Sequence, residues 1–134
     1  MGCTIVAGPP CAGKSTYVDK HASPAALIVC WDTIARELGS TQTHGHRRLW
    51  HQIDKVYRRR LAQVGGVDEA WIIRTLANPA ERRAWVSRYD AELVLLCPPR
   101  EVLLERARSR PDRRKTEALI REWFIVNPMS RTAW

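Results

Sequence analysis

Three sets of residues in this chain have types and spacings that could do chemistry. The run Gly8-Pro9-Pro10-Cys11-Ala12-Gly13-Lys14-Ser15 satisfies G-x-x-x-x-G-K-[ST] without a gap. In such a run the glycines let backbone N–H groups close around phosphates, and the N-terminus of the following helix adds partial positive charge. Lys14 would reach the β- and γ-phosphates, and the Ser15 hydroxyl would ligate Mg²⁺. Gly8 to Thr16 is therefore the candidate cradle for a nucleoside triphosphate. The second is Asp32, just past an apolar run, where a carboxylate can take a proton from an attacking hydroxyl. The same residue would also suit the N-cap of a helix beginning at Thr33. The third is the basic stretch over residues 100–115, with Arg100, Arg106, Arg108, Arg110, Arg113, Arg114 and Lys115. Arg106 and Arg110, spaced one helical turn apart, could grip neighbouring phosphates and stabilise charge on a transferring phosphoryl group. The plainer reading of such a run is a solvated face, with Pro111-Asp112 as a turn.

The elements that must hold these residues can be read from hydrophobic patterning. Four short apolar runs, Cys3–Ala7, Ala26–Cys30, Ala70–Ile73 and Leu93–Leu96, are continuous rather than alternating, as in parallel strands covered on both faces. Helical patterns lie between them. One spans Lys14 to His21. Another runs from Arg47 to Val64, with Leu49, Trp50, Ile53, Val56, Tyr57, Leu61 and Val64 on one face, and stops at Gly65-Gly66. Asn78-Pro79 reads as N-cap and N1 of a helix to about Arg88. Pro99 opens a helix reaching Arg106, and the last starts near Thr116 and ends before Asn127-Pro128. Alternating β and α elements imply a parallel sheet with right-handed crossovers.

Composition narrows the function classes. The chain has 134 residues, room for one domain over 1–134. Its net charge is +8, and all its basic residues but Lys14, Lys20, Lys55 and Lys115 are arginines, which suits a polyanionic ligand. Cys3, Cys11, Cys30 and Cys97 show neither disulfide nor zinc spacing. No apolar run reaches the ~18 residues of a membrane span and no signal-peptide pattern opens the chain, so a reduced, cytoplasmic protein is expected. His44-Gly45-His46 with His51 lacks supporting carboxylates or thiols and reads as a loop pair rather than a metal site. Trp50, Trp71, Trp85 and Trp123 fall on apolar faces and are expected in the core. Trp31, beside Asp32, is a candidate base-stacking platform.

Further likenesses are more specific. A chain this short, without the N-K-x-D motif of GTP-binding proteins, resembles the small P-loop kinases. Asp32, after the second strand, stands where the P-loop polynucleotide 5′-kinases carry their general base. Asn78-Pro79-Ala80-Glu81-Arg82-Arg83-Ala84-Trp85 is similar to the N-P-E-R-R-x-A-W stretch of phage-type polynucleotide 5′-kinase domains. Leu104-Glu105-Arg106-Ala107-Arg108-Ser109-Arg110 is similar to their arginine lid. Two positions depart from the pattern. Arg74 holds the end of the third strand where the family has an aspartate supporting Mg²⁺, and Arg36 lies four residues past Asp32 rather than three, though on a helix both spacings share a face.

The resemblance implies a single-domain α/β P-loop NTPase/kinase fold, a parallel sheet of about four strands in the order 2-3-1-4 with flanking helices and an Arg-rich lid. It implies ATP and Mg²⁺ as ligands, with Gly8–Thr16, Arg106 and Arg110 on the nucleotide and Asp32, Arg36 and Arg74 on the acceptor. Arg74 would meet a substrate phosphate or Asp32. The expected reaction is transfer of the γ-phosphate to a hydroxyl, foremost the 5′-OH of a nucleic acid. The alternatives are a nucleoside, nucleotide or modified-base kinase, and an ATP-binding nucleic-acid or assembly factor with little turnover. A polynucleotide acceptor predicts steep salt dependence, log affinity falling by about 0.7–0.9 per log unit of salt for each phosphate contact. Oligonucleotide binding measured across a salt series tests this, and a flat response would favour a small acceptor.

Overall fold

A computed structural model describes residues 2–40 and 47–128. The apolar runs form four parallel strands, β1 (Cys3–Ala7), β2 (Leu27–Cys30), β3 (Ala70–Arg74) and β4 (Glu92–Leu95), in the order β2-β3-β1-β4. Six helices connect and follow them: α1 (Lys14–His21), α2 (Trp31–Glu37), α3 (Trp50–Gln63), α4 (Pro79–Tyr89), α5 (Arg100–Ala107) and α6 (Arg113–Val126). The central strand β1 is covered on both faces. Ile5 packs with Ile34, Ile53 and Ile72 on one side, and Val6 with Val18, Trp71 and Ile73 on the other. A third cluster, Leu103, Ala107 and Ile120, seats α5 and α6 together beside Ala12.

Register decides where the functional residues emerge. Ala7 pairs with both Arg74 and Leu95, and Cys30 pairs with Ile73. The run after β1, the end of β3 and the start of α2 therefore leave the sheet at one carboxyl edge, where open α/β sheets bind ligands. At the opposite edge Glu69 accepts hydrogen bonds from the Ser23 hydroxyl (2.6 Å) and the Trp71 indole (2.7 Å), which hold its carboxyl below the usual range.

Several boundaries differ from the patterning, each for a local reason. The helix after β2 has no intervening cap residue: extended Cys30 is itself the N-cap, so α2 begins at Trp31 and Asp32 lies inside its first turn instead of capping it. Ala26 is held in a turn by Ser23 O, so β2 starts one residue late. β4 has a single strand neighbour, and Leu93 is 40% exposed, so this strand is an edge rather than a covered core strand. The last helix begins at Arg113, because Thr116 N already donates to Asp112 O (3.0 Å). The basic stretch is thereby divided: Arg106 is in the last turn of α5, Arg110 sits in the connecting turn with its N–H on Ala107 O, and Arg113 to Lys115 open α6. Arg106 and Arg110 thus do not share a helix. Short 3₁₀ turns flank α3 at Arg47–Leu49 and Val64–Gly66. His44 and His46 lie outside the described residues, and His51 sits on α3 against Trp50.

The Asn78–Trp85 stretch is built for position. The Asn78 side chain accepts from Ala80 N (2.8 Å) and caps α4, with Pro79 at its first position. Arg82 is buried. Its guanidinium donates to Leu76 O (2.8 Å), Ala77 O (3.2 Å) and Asn127 Oδ1 (3.1 Å), and lies over Trp123. Asn127 donates to Ala77 O (2.7 Å) in return. This clamp ties the β3–α4 loop to the end of α6, and it holds Leu76 in the left-handed region (φ 47°), which a side chain rarely adopts. Arg82→Ala would leave these acceptors without their cation, at a cost on the order of 2–4 kcal/mol. The expected outcome is a melting temperature lowered by about 10 °C in a thermal unfolding scan.

Candidate active site

After β1 the chain curls around its own backbone. Gly8 N donates to Thr75 O, and a Cβ on Gly8 would run into the Leu96 carbonyl oxygen, so no other residue fits there. Cys11 (φ 68°) and Gly13 (φ 92°) both take the left-handed conformation, curling the loop into a concavity that leads into α1. Lys14 folds back over the loop, its Nζ donating to Gly8 O (2.6 Å) and Pro9 O (3.0 Å). Burial lowers its pKa to about 8, against the opposing pull of the Asp32 carboxylate. Ser15 and Thr16 are exposed in the first turn of α1.

The concavity opens into a cleft of about 1290 Å³. Pro10 to Thr16 line one end, with Asp32, Arg36, Arg74 and Arg110 along it. Gly8 and Pro9 lie beneath, contributing the carbonyls that hold Lys14. Arg106 is not in this cleft. Its guanidinium donates to Cys11 O (2.9 Å) and borders a second, shallower hollow on the other side of the loop, with Thr16, Tyr17, Lys20, His21 and Arg110. Arg110 faces both spaces.

Arg74 has a fixed setting. Nη1 donates to Tyr57 Oη (3.2 Å), Nη2 lies 3.9 Å from Glu81, and the guanidinium stands 4.5 Å from the centre of the Trp85 ring. Burial raises the Tyr57 pKa, so its hydroxyl stays protonated at neutral pH. The far wall of the cleft carries residues that hydrophobic patterning assigned to the interior or left unused. Trp50 is 44% exposed and Trp85 half-buried, while Tyr57, Arg58, Arg88 and Tyr89 also face the cleft. Trp50 misses the core because α3 buries Ile53 and Tyr57 instead, and position 50 lies at the helix start, over the opening. The available clue was the spacing of Trp50, Asp54 and Arg58, one polar-aromatic row along α3.

The arrangement combines a phosphate cradle with a desolvated lysine, a carboxylate in electrostatic contact with that lysine, and a cation-lined wall. Among the described residues no group of three or more His, Cys, Asp and Glu could hold a metal unaided. The exposed Ser15 hydroxyl fits a Mg²⁺ carried in on phosphate oxygens, since that ion keeps several waters. No described helix is long and apolar enough to cross a membrane.

The Lys14 pKa sets a pH dependence. Phosphates would raise it back toward its ordinary value, so binding above pH 8 must take up a proton. Triphosphate affinity should be full below that pH and drop about tenfold between pH 7 and pH 9. Calorimetric titration measures this, and Lys14→Arg, whose charge does not titrate there, should flatten the profile.

A family model described as AAA domain matches residues 4–123. No curated protein matches the chain. A match running from β1 through the cradle and into α6 carries one conclusion: the chain belongs to the AAA domain family and is a P-loop nucleotide-binding domain.

Proposed function

We propose that the protein is an ATP-dependent phosphotransferase that moves the γ-phosphate of ATP to a hydroxyl, with the 5′-OH of a polynucleotide as the acceptor the site fits best. The observation that carries the reading is the cleft itself: Lys14 and Asp32 line it and interact electrostatically, and arginines and aromatic rings make up much of the remaining wall. Gly8–Thr16 cradles the triphosphate, and Arg106 and Arg110 reach it from the α5 side. The hollow beside Tyr17 and Lys20 takes the nucleoside of ATP. Ser15 would hold Mg²⁺, which would neutralise charge on the phosphate oxygens.

Asp32 accepts the proton of the acceptor hydroxyl as its oxygen bonds to the γ-phosphorus. The bond from that phosphorus to the β–γ bridging oxygen breaks, and ADP leaves. Lys14 and Arg110, which line the cleft, balance the charge on the transferring group, while Arg106 would reach the phosphates from the neighbouring hollow. Arg36, one turn beyond Asp32 on α2, and Arg74 meet phosphates of the acceptor. The net charge of +8 favours a polymer, since a lone nucleoside would use few of these arginines.

One observation favours a second reading, an ATP-binding factor with little turnover: Arg74 occupies the strand end where a metal-supporting acid would help catalysis. A nucleoside kinase is the other rival. Labelled ATP incubated with DNA, RNA and nucleosides separates all three, because only the proposed activity labels an oligonucleotide end in preference to a nucleoside. Asp32→Asn keeps the shape of the side chain and removes its basicity. Turnover should drop on the order of 10²–10⁴-fold while ATP affinity holds. The loss of a first-turn charge would cost α2 only about 0.3–1 kcal/mol, so the variant should stay folded. Near-normal turnover would exclude Asp32 as the base.

A further inference from the structure

The aromatic side of the cleft holds one ring that the core does not use. Trp50 opens α3, yet the buried residues of that helix are Ile53 and Tyr57. The residue is 44% exposed and borders the cleft. It is nonetheless held in place. The Trp31 ring lies 5.7 Å away, tilted by 51°, and Trp31 in turn meets Tyr57 edge-on at 5.4 Å, so a chain of rings anchors Trp50 to the sheet side. His51 braces it from within the helix at 5.3 Å. An anchored, partly exposed indole is a platform of low entropic cost, because ordering a ligand on it freezes little of the protein.

Charge around the platform narrows what it accepts. Arg36 of α2 and Arg58, two turns beyond Trp50 on α3, are exposed cations bordering the same cleft. Asp54 braces Arg58 at 2.9 Å, leaving most of its guanidinium in solvent. A flat π-face among cations that can follow a phosphodiester backbone is the combination by which proteins hold unpaired nucleic-acid bases. A purely apolar occupant would leave these arginines unused.

We infer that Trp50 is a nucleobase-stacking residue, which receives the base of the acceptor's terminal nucleotide and so helps place its hydroxyl before Asp32. The inference rests on the phosphotransferase reading for that last clause alone, since base stacking does not require turnover. It moves the platform role from Trp31, which the ring geometry makes the support, to Trp50. The base can belong to an oligonucleotide end or to a free nucleoside. Stacking is common to both, and the acceptors compared below separate them.

The test compares an oligonucleotide carrying a normal 5′-terminal nucleotide with one whose terminal nucleotide is abasic, and with the matching nucleoside. Equilibrium binding by fluorescence anisotropy and, separately, KM in the presence of ATP are measured for wild type, Trp50→Ala and Trp50→Phe. Wild type should bind the normal end about tenfold more tightly than the abasic end. Trp50→Ala should lose that preference with ATP affinity unchanged, and Trp50→Phe should keep most of it. Nucleoside binding that depends on Trp50 as strongly as oligonucleotide binding assigns the base to a small acceptor. Equal binding of normal and abasic ends by wild type, or a preference that survives Trp50→Ala, overturns the inference. Should no acceptor be phosphorylated while the Trp50-dependent preference persists in binding, the phosphotransferase reading fails and the stacking site stands.

Discussion

The cleft depends on how closely the chain leaving β1 passes the end of β4. Gly8 lies against the Leu96 carbonyl with no space for a Cβ, and Leu96 N donates to Ala7 O just before that point. This approach fixes the height at which the loop turns, and the left-handed residues Cys11 and Gly13 then fix its curl. Lys14 can fold over the loop only because the carbonyls of Gly8 and Pro9 are presented together. From the same parallel register come the positions of Arg74 and of the start of α2, so one steric constraint and one pairing pattern place the cradle, the carboxylate and the cation wall.

The electrostatics of the cleft are one-sided. Asp32 is in electrostatic contact with a desolvated lysine, while Arg36, Arg58, Arg74, Arg88 and Arg110 border the same space. A polyanion entering the cleft offsets unfavourable repulsion among guanidinium groups. Arg74 puts a positive group at the carboxyl edge of the sheet, where it is compensated locally by Glu81 and by the faces of Trp85 and Tyr57. Its charge is thus held in a defined orientation rather than left to swing in solvent.

Strand direction and the cradle were legible in the sequence because each rests on local rules: continuous apolar runs for parallel strands, and a glycine-lysine spacing that only a strand-to-helix turn can use; the sheet order β2-β3-β1-β4 came only with the resemblance to small P-loop kinases. Asp32 was marked by its place just past an apolar run and Arg36 by the resemblance alone; both line the cleft. The rest depended on tertiary choices that local pattern cannot encode. Trp50 and Ile53 look equivalent along the apolar face of α3, and only the packing of that helix against β2 and α2 decides which is buried. Arg106 and Arg110 looked like one helical pair because nothing in Ala107-Arg108-Ser109 announces a break. The helix ends where Ala107 must bury beside Ile120 and the chain turns toward α6. Arg82 could not be told from its neighbour Arg83 by residue type, although one is buried in a clamp and the other exposed.

That clamp has a consequence for local opening. Arg82 and Asn127 join the loop preceding α4 to the last turn of α6, and α4 carries Trp85, the ring on which Arg74 rests. Helix ends ordinarily fray independently of distant structure. Here the terminal turn of α6 cannot unravel without releasing Leu76 and Ala77, and with them the support under the wall of the cleft. Fraying at the carboxyl end of α6 and loosening of the Arg74–Trp85 wall of the cleft should therefore go together, so the rigidity of the site is set partly by residues far from the phosphate cradle in sequence.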